Sequence, residues 1–113
     1  AIEAMGEGFA LVRKFGVDPA VFYKVLTDGL FASVAYKVYG DIIAREAYGE
    51  VGVTASIGLK DCNLAMAAGQ AAGVPLPSGN AWRDRLIGAE THGEGELDWA
   101  VVARDQARAS GLE

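Results

Sequence analysis

Two adjacent residues, Lys60 and Asp61, are the ones whose types and setting raise a question of chemistry. They lie in Ser56-Ile57-Gly58-Leu59-Lys60-Asp61-Cys62-Asn63-Leu64-Ala65-Met66, which reads as the opening of a central, largely apolar helix. Residues one apart on a helix do not face each other, so the two are not a mutual pair. The helical neighbours of Lys60 are Ser56, Ile57, Asn63 and Leu64, none acidic; those of Asp61 are Ile57, Gly58, Leu64 and Ala65, none basic. The helix dipole disfavours a cation near the N-terminus by about a few tenths of a kcal/mol. An ammonium so placed takes its partner from solvent, from another helix or from an anionic ligand. On residue chemistry alone, an exposed lysine is the ordinary reading.

Other constellations are weaker. His92 is the only histidine and stands beside Gly93 without a convincing set of further ligands, so a solvated or capping role fits it and no metal site is readable. Cys62 is the only cysteine; it excludes an internal disulfide, reads as a small buried apolar side chain and suits a reducing cytoplasm. The glycines do not follow a strand and open a helix as a phosphate-cradling fingerprint requires. One histidine downstream in sequence gives no support to a nucleophilic triad.

The elements that position these residues are helical. The 113 residues suffice for one domain, and 51% hydrophobic with 22% charged residues allows a packed core. A net charge of −5 disfavours a nucleic-acid backbone as partner. Apolar runs are short and broken by charges, which argues against a membrane span. The first residues carry Glu3 and Glu7 without a basic start, unlike a signal peptide. Helical spacing begins at once, with no start signal ahead of it, so the chain is expected to be part of a longer polypeptide.

Ile2, Met5, Phe9 and Val12 form one apolar stripe ending at Gly16. Asp18-Pro19 is a strong start for a second helix, with Val21, Phe22, Val25 and Leu26 inward and Gly29 closing it. A third helix is predicted over Phe31 to Tyr48, with Val34, Val38 and Ile42 inward and Gly40 permitting a bend or a close approach. The stretch from Gly49 to Thr54 reads as a loop. A fourth helix starts at Thr54 or Ser56 and runs to about Ala72, and its small residues suggest that others surround it. Ser78 is predicted to cap a fifth helix bearing Trp82, Leu86 and Ile87, and Asp98 a sixth with Trp99, Val102 and Ala103 inward. The fold class is therefore all-α, a single bundle of about six helices.

The sequence resembles the C-terminal helical domain of the β-hydroxyacid dehydrogenases, the family of 3-hydroxyisobutyrate dehydrogenase and glyoxylate reductases, related to 6-phosphogluconate dehydrogenase. The resemblance rests on the Ala4 to Gly16 helix followed by Val17-Asp18-Pro19, on Leu26-Thr27-Asp28-Gly29, and on Leu59-Lys60-Asp61 with Asn63-Leu64-Ala65. Gly73-Val74-Pro75-Leu76-Pro77 and the Gly93 to Trp99 segment complete it. It implies that residues 1–113 are the substrate and dimerisation domain of a two-domain enzyme. The partner domain would be an N-terminal Rossmann domain that binds NAD or NADP, absent from this chain. The principal catalytic lysine would lie upstream of Ala1, leaving no catalytic residue here; Lys14, at the far end of its helix, does not match it. The resemblance makes Lys60 a cofactor-binding and substrate-binding residue facing the cleft, with Asp61 beside it. Many relatives carry Phe seven residues before the lysine, where Val53 stands here, so Val53 joins the substrate-side wall.

The function implied is hydride transfer between nicotinamide and a small hydroxy acid or related carbonyl compound, by a cytoplasmic homo-oligomer, with the isolated chain inactive. The rival reading is a stand-alone helical interaction or oligomerisation module without catalysis.

Overall fold

The computed structural model describes residues 1–112. Six α-helices follow one another: α1 (Ile2–Lys14), α2 (Pro19–Thr27), α3 (Val34–Arg45), α4 (Ala55–Ala72), α5 (Pro77–Thr91) and α6 (Val102–Ala109). A short 3-10 helix, Trp99–Val101, leads into α6, and no strand longer than an isolated bridge occurs among the described residues. The fold is all-α, as the periodicity predicts.

The first and last helices form the centre. α1 packs most extensively on α6, and Ile2, Met5 and Phe9 of its stripe are buried with Val101, Val102, Ala103 and Leu86. Gly6 permits the crossing, because a Cβ there would lie 3.2 Å from the Cα of Ala103. The α2–α3 hairpin covers a second face of α1, with Phe22 edge-on to Phe9 at 4.9 Å between ring centres. α5 lies beside α6 and carries α4 on its outer side.

The local start and stop signals are mostly where the sequence places them. Asp18 accepts from the Ala20 amide at 2.8 Å with Pro19 at the first helical position, Thr54 caps α4, and Gly73 ends α4 at a φ of 68°. Gly40 is a close-approach glycine, since a Cβ there would sit 3.1 Å from the Tyr23 ring. Cys62 is buried and points its thiol at the Gly79 carbonyl, 3.5 Å away. Burial raises its pKa, the state of an inert rather than a reactive thiol.

Several expectations are corrected. α4 is not central: only Ala55, Gly58, Cys62 and Gly69 are buried, while Ile57 and Leu64 are 50% and 63% exposed. Of its small residues only Ala55, Gly58 and Gly69 are buried, on the side toward α5 and the 3-10 helix, while Ala65, Ala67, Ala68, Ala71 and Ala72 are exposed. On α2, Val21 and Val25 face outward, and on α3 so do Val34 and Val38. Both helices carry two overlapping apolar stripes. The inner one holds the larger rings, Phe22 and Tyr23 on α2 and Tyr36 and Tyr39 on α3, which bury more surface than valines would. α3 is shorter than Phe31 to Tyr48, because Ser33 caps its start and Glu46 ends it in the left-handed region at φ 52°. α5 begins one residue before Ser78, at Pro77, whose fixed φ suits the first helical position without a side-chain cap. Ile87 is 43% exposed, leaving Leu86 as the buried anchor.

Candidate functional site

The loop before α4 and the segment before α6 are sewn together across the molecule. Asp98 is fully buried, and three backbone amides satisfy its carboxylate. Oδ1 accepts from Ala100 at 2.8 Å, and Oδ2 accepts from Gly52 at 2.9 Å and Val53 at 3.4 Å. The backbone adds a Trp99 amide donating to the Val53 carbonyl at 2.8 Å and an Asp98 amide donating to Tyr48 at 2.9 Å. An ionised carboxylate answered by backbone donors is the usual way a buried charge is tolerated without a counter-ion. Sequence reading identifies Asp98 as a cap; its bonds to a loop 46 residues away in sequence have no local signal.

The same segment completes the start of α4. A helix leaves four N-terminal amides without partners inside itself. Here Ala55 donates to the Leu97 carbonyl and Ser56 to that of Gly95, both at 2.9 Å. Ile57 donates to the Thr54 hydroxyl at 3.2 Å, and Gly58 to the Thr54 carbonyl at 3.0 Å. The Gly58 bond is the first rung of the helix itself, so three of the four open amides, those of Ala55, Ser56 and Ile57, are occupied from outside the ladder, and they fix the direction of α4 at its first turn. Whatever Lys60 does, it does from a pinned helix.

Lys60 and Asp61 are exposed on the second turn of α4, and neither side chain makes a hydrogen bond or ion pair among the described residues. Val53 is half-buried, held by its own amide and carbonyl. The three do not converge on one cavity. A groove of about 640 Å³ lies elsewhere, between the first turns of α1, the start of α5 and the Tyr39–Trp99–Trp82 ring cluster, and none of the three lines it. A smaller groove, of about 430 Å³, runs between α4, the turn after it and α5; Asn63 lines it, and Lys60 does not.

Sequence reasoning misses two further charged groups. Glu94, 8% exposed, accepts from Arg108 at 2.6 and 2.8 Å and from Arg104 at 2.9 Å. These bonds, led by that from Arg108, hold its carboxyl below the usual carboxylate range against the opposing effect of burial. Arg85 bridges Glu3 at 2.9 Å, Asp105 at 3.0 Å and the Gln106 side chain. Burial dominates at Glu3, whose carboxyl is raised despite the arginine, because its Oε2 is buried without a partner. Arg85, with its further acceptors, is held protonated more firmly than usual although burial opposes it. His92 ends α5 with Nδ1 2.7 Å from the Gly88 carbonyl, the capping position its setting suggests. No group of three or more His, Cys, Asp or Glu able to hold a metal occurs among the described residues.

An all-helical domain with a pinned Lys-Asp turn is the class that fold and geometry define, and comparison with known proteins makes it specific. Residues 1–105 match the family described as the NAD-binding domain of NADP-dependent 3-hydroxyisobutyrate dehydrogenase, and the chain belongs to that family. An uncharacterized oxidoreductase of Bacillus subtilis, YfjR, is 33% identical over 103 residues, covering 91% of this chain and 36% of the relative. The crystal structure of a 3-hydroxyisobutyrate dehydrogenase from Salmonella typhimurium superposes with a TM-score of 0.84 at 24% identity. It covers 92% of this chain and 36% of that one, and shows the same fold. The chain thus spans little more than a third of the length of either relative. Among the described residues, no helix is long and apolar enough to cross a membrane.

Proposed function

We propose that this chain is the C-terminal helical domain of a two-domain NAD(P)-dependent oxidoreductase that acts on a small hydroxy acid or related carbonyl compound. A Rossmann domain would precede it in the same polypeptide. The observation that carries the reading is Lys60. In a chain assigned to an NAD-binding dehydrogenase family, it is an exposed ammonium without an internal partner, on a helix whose start is fixed by three satisfied amides. Such a group fits the phosphate, ribose or carboxylate oxygens that a dinucleotide and an acid substrate present.

The nicotinamide, when bound, supplies the hydride chemistry. Lys60 holds an anionic or hydroxylated group of cofactor or substrate from the helical side, Asp61 stands beside it toward the substrate, and Val53 walls the substrate. The principal catalytic lysine lies outside these residues, so the isolated chain has no turnover of its own. The outward valines Val21, Val25, Val34 and Val38 support a homo-oligomer, and the single buried cysteine supports a cytoplasmic setting.

The test is Lys60→Ala in the longer polypeptide that carries this domain, assayed for NAD(P)-linked turnover of a panel of hydroxy acids. Loss of one charge-assisted contact worth about 1.5–3 kcal/mol lowers kcat/KM by roughly 10- to 100-fold. The melting temperature should stay unchanged, because no internal partner is lost. Full activity in the variant would refute the assignment of Lys60.

A further inference from the structure

The chain carries six arginines, Arg13, Arg45, Arg83, Arg85, Arg104 and Arg108, and fifteen acidic residues. Five of the six are ion-paired: Arg13 with Glu46, Arg45 with Asp41 and Glu50, Arg85 with Glu3 and Asp105, and Arg104 and Arg108 with Glu94. Arg83 is the exception. It is half-buried, its Nε is shut off from solvent without a hydrogen-bond partner, and its guanidinium meets no carboxylate among the described residues. In a chain of net charge −5, an arginine left unpaired while acids are plentiful is a guanidinium kept open.

What surrounds it is polar and shaped. Arg83 lines the groove of about 430 Å³ between α4, the Val74 to Leu76 turn and α5, together with the carboxamides of Asn63, Gln70 and Asn80. No carboxylate lines this groove. Met66 and Leu76 supply an apolar floor, and Leu76 is locked against Gly69, where a Cβ would come within 2.7 Å of it. The volume is in the range of small-molecule sites. A planar guanidinium presents paired donors that match a carboxylate or phosphate, and carboxamides can donate to the remaining oxygens or accept from neighbouring hydroxyls.

We propose that this groove is a binding site for a small oxyanion, a carboxylate- or phosphate-bearing metabolite, held by Arg83 and flanked by Asn63, Gln70 and Asn80. Lys60 does not line it, although Asn63 stands one turn along α4 from Lys60, and the proposal does not depend on the oxidoreductase reading. The helical neighbours of Arg83 are Gly79, Asn80, Leu86 and Ile87, and none is acidic. These neighbours alone do not find it in sequence, since Arg13, Arg85 and Arg104 also lack an acidic one and are paired through other helices.

The experiment is an NMR titration of the chain with inorganic phosphate and, separately, malonate, following the Arg83 Nε–Hε signal and the side-chain amides of Asn63 and Asn80. A saturable shift at these signals, with an apparent Kd of the order of 1 mM, is expected for at least one probe. Phosphate alone would point to a phosphorylated ligand, malonate alone to a carboxylate, and both to a general oxyanion site. Arg83→Gln, followed at the asparagine amides, should weaken binding at least 10-fold. Gln70→Glu, an exposed change that leaves folding intact, should do the same by placing a negative charge on the wall. Arg45→Ala, at an arginine already paired, should leave it unchanged. The proposal is overturned if neither probe gives a saturable shift, if sodium chloride at matched ionic strength reproduces it, or if Gln70→Glu binds as well as the unsubstituted chain.

Discussion

Replacing Asp98 by asparagine changes one atom type and tests the device that pins α4. The amide oxygen can keep the bond to the Ala100 amide, now 2.8 Å from Oδ1. The amide nitrogen must then face the Gly52 and Val53 amides, 2.9 and 3.4 Å from Oδ2, so donor opposes donor in a site without solvent. The longer contact counts for little. Losing the shorter one, which is charge-assisted, costs about 2–3 kcal/mol once the unpaired Gly52 amide is included. For a domain of this size that lowers Tm by about 10 °C. Thermal unfolding followed by far-UV circular dichroism measures it. Hydrogen exchange adds a local readout, since the amides of Gly52 and Trp99 should exchange faster than those at the α1–α6 crossing. A Tm within about 2 °C of the unsubstituted chain would refute the reasoning, because the carboxylate would then not be what joins the two segments.

Further expectations concern the buried carboxylates, whose signs are opposite. Glu94→Gln leaves Arg104 and Arg108 facing a neutral partner and should cost about 2 kcal/mol at pH 7 by urea unfolding. The carboxyl is lowered in the folded chain, so its contribution is complete above the ordinary value of 4.5 and fades as pH falls through the lowered value. The gap between the two proteins should therefore close in acid. For Glu3 the folded value is raised, so its contribution is complete below 4.5 and is lost as pH rises through the raised value. Glu3→Gln should accordingly gain on the unsubstituted chain across that window, and a gap independent of pH would count against the burial of Oε2 as the cause.

Helix boundaries were legible because their signals are local. Asp18-Pro19, Thr54 and Gly73 each act within a turn, and each is found in its expected role. Burial was less legible wherever a helix carries two stripes. Val21 and Val25 match the periodicity as well as Phe22 and Leu26, and only the partner helix decides between them. The rank of the helices was not legible at all. A small-residue pattern such as that of α4 fits one close seam as well as a crowded centre. Lys60 could be picked out because absence of an intrahelical partner is a local property. The network of Asp98 could not, since Gly52 lies 46 residues from it.

The pairing of the first and last helices bears on how this fold is made. Within this domain α1 is translated before α6, so the stripe of Ile2, Met5 and Phe9 leaves the ribosome without the surface that α6 and its lead-in provide. The α2–α3 hairpin can shelter part of it in the meantime. The Val101–Val102–Ala103 segment arrives only after every other helix has emerged. For a nascent chain this domain is therefore close to all or nothing: the long-range contacts that close its core form only once α6 has emerged, and until then a chaperone has an apolar helix to hold.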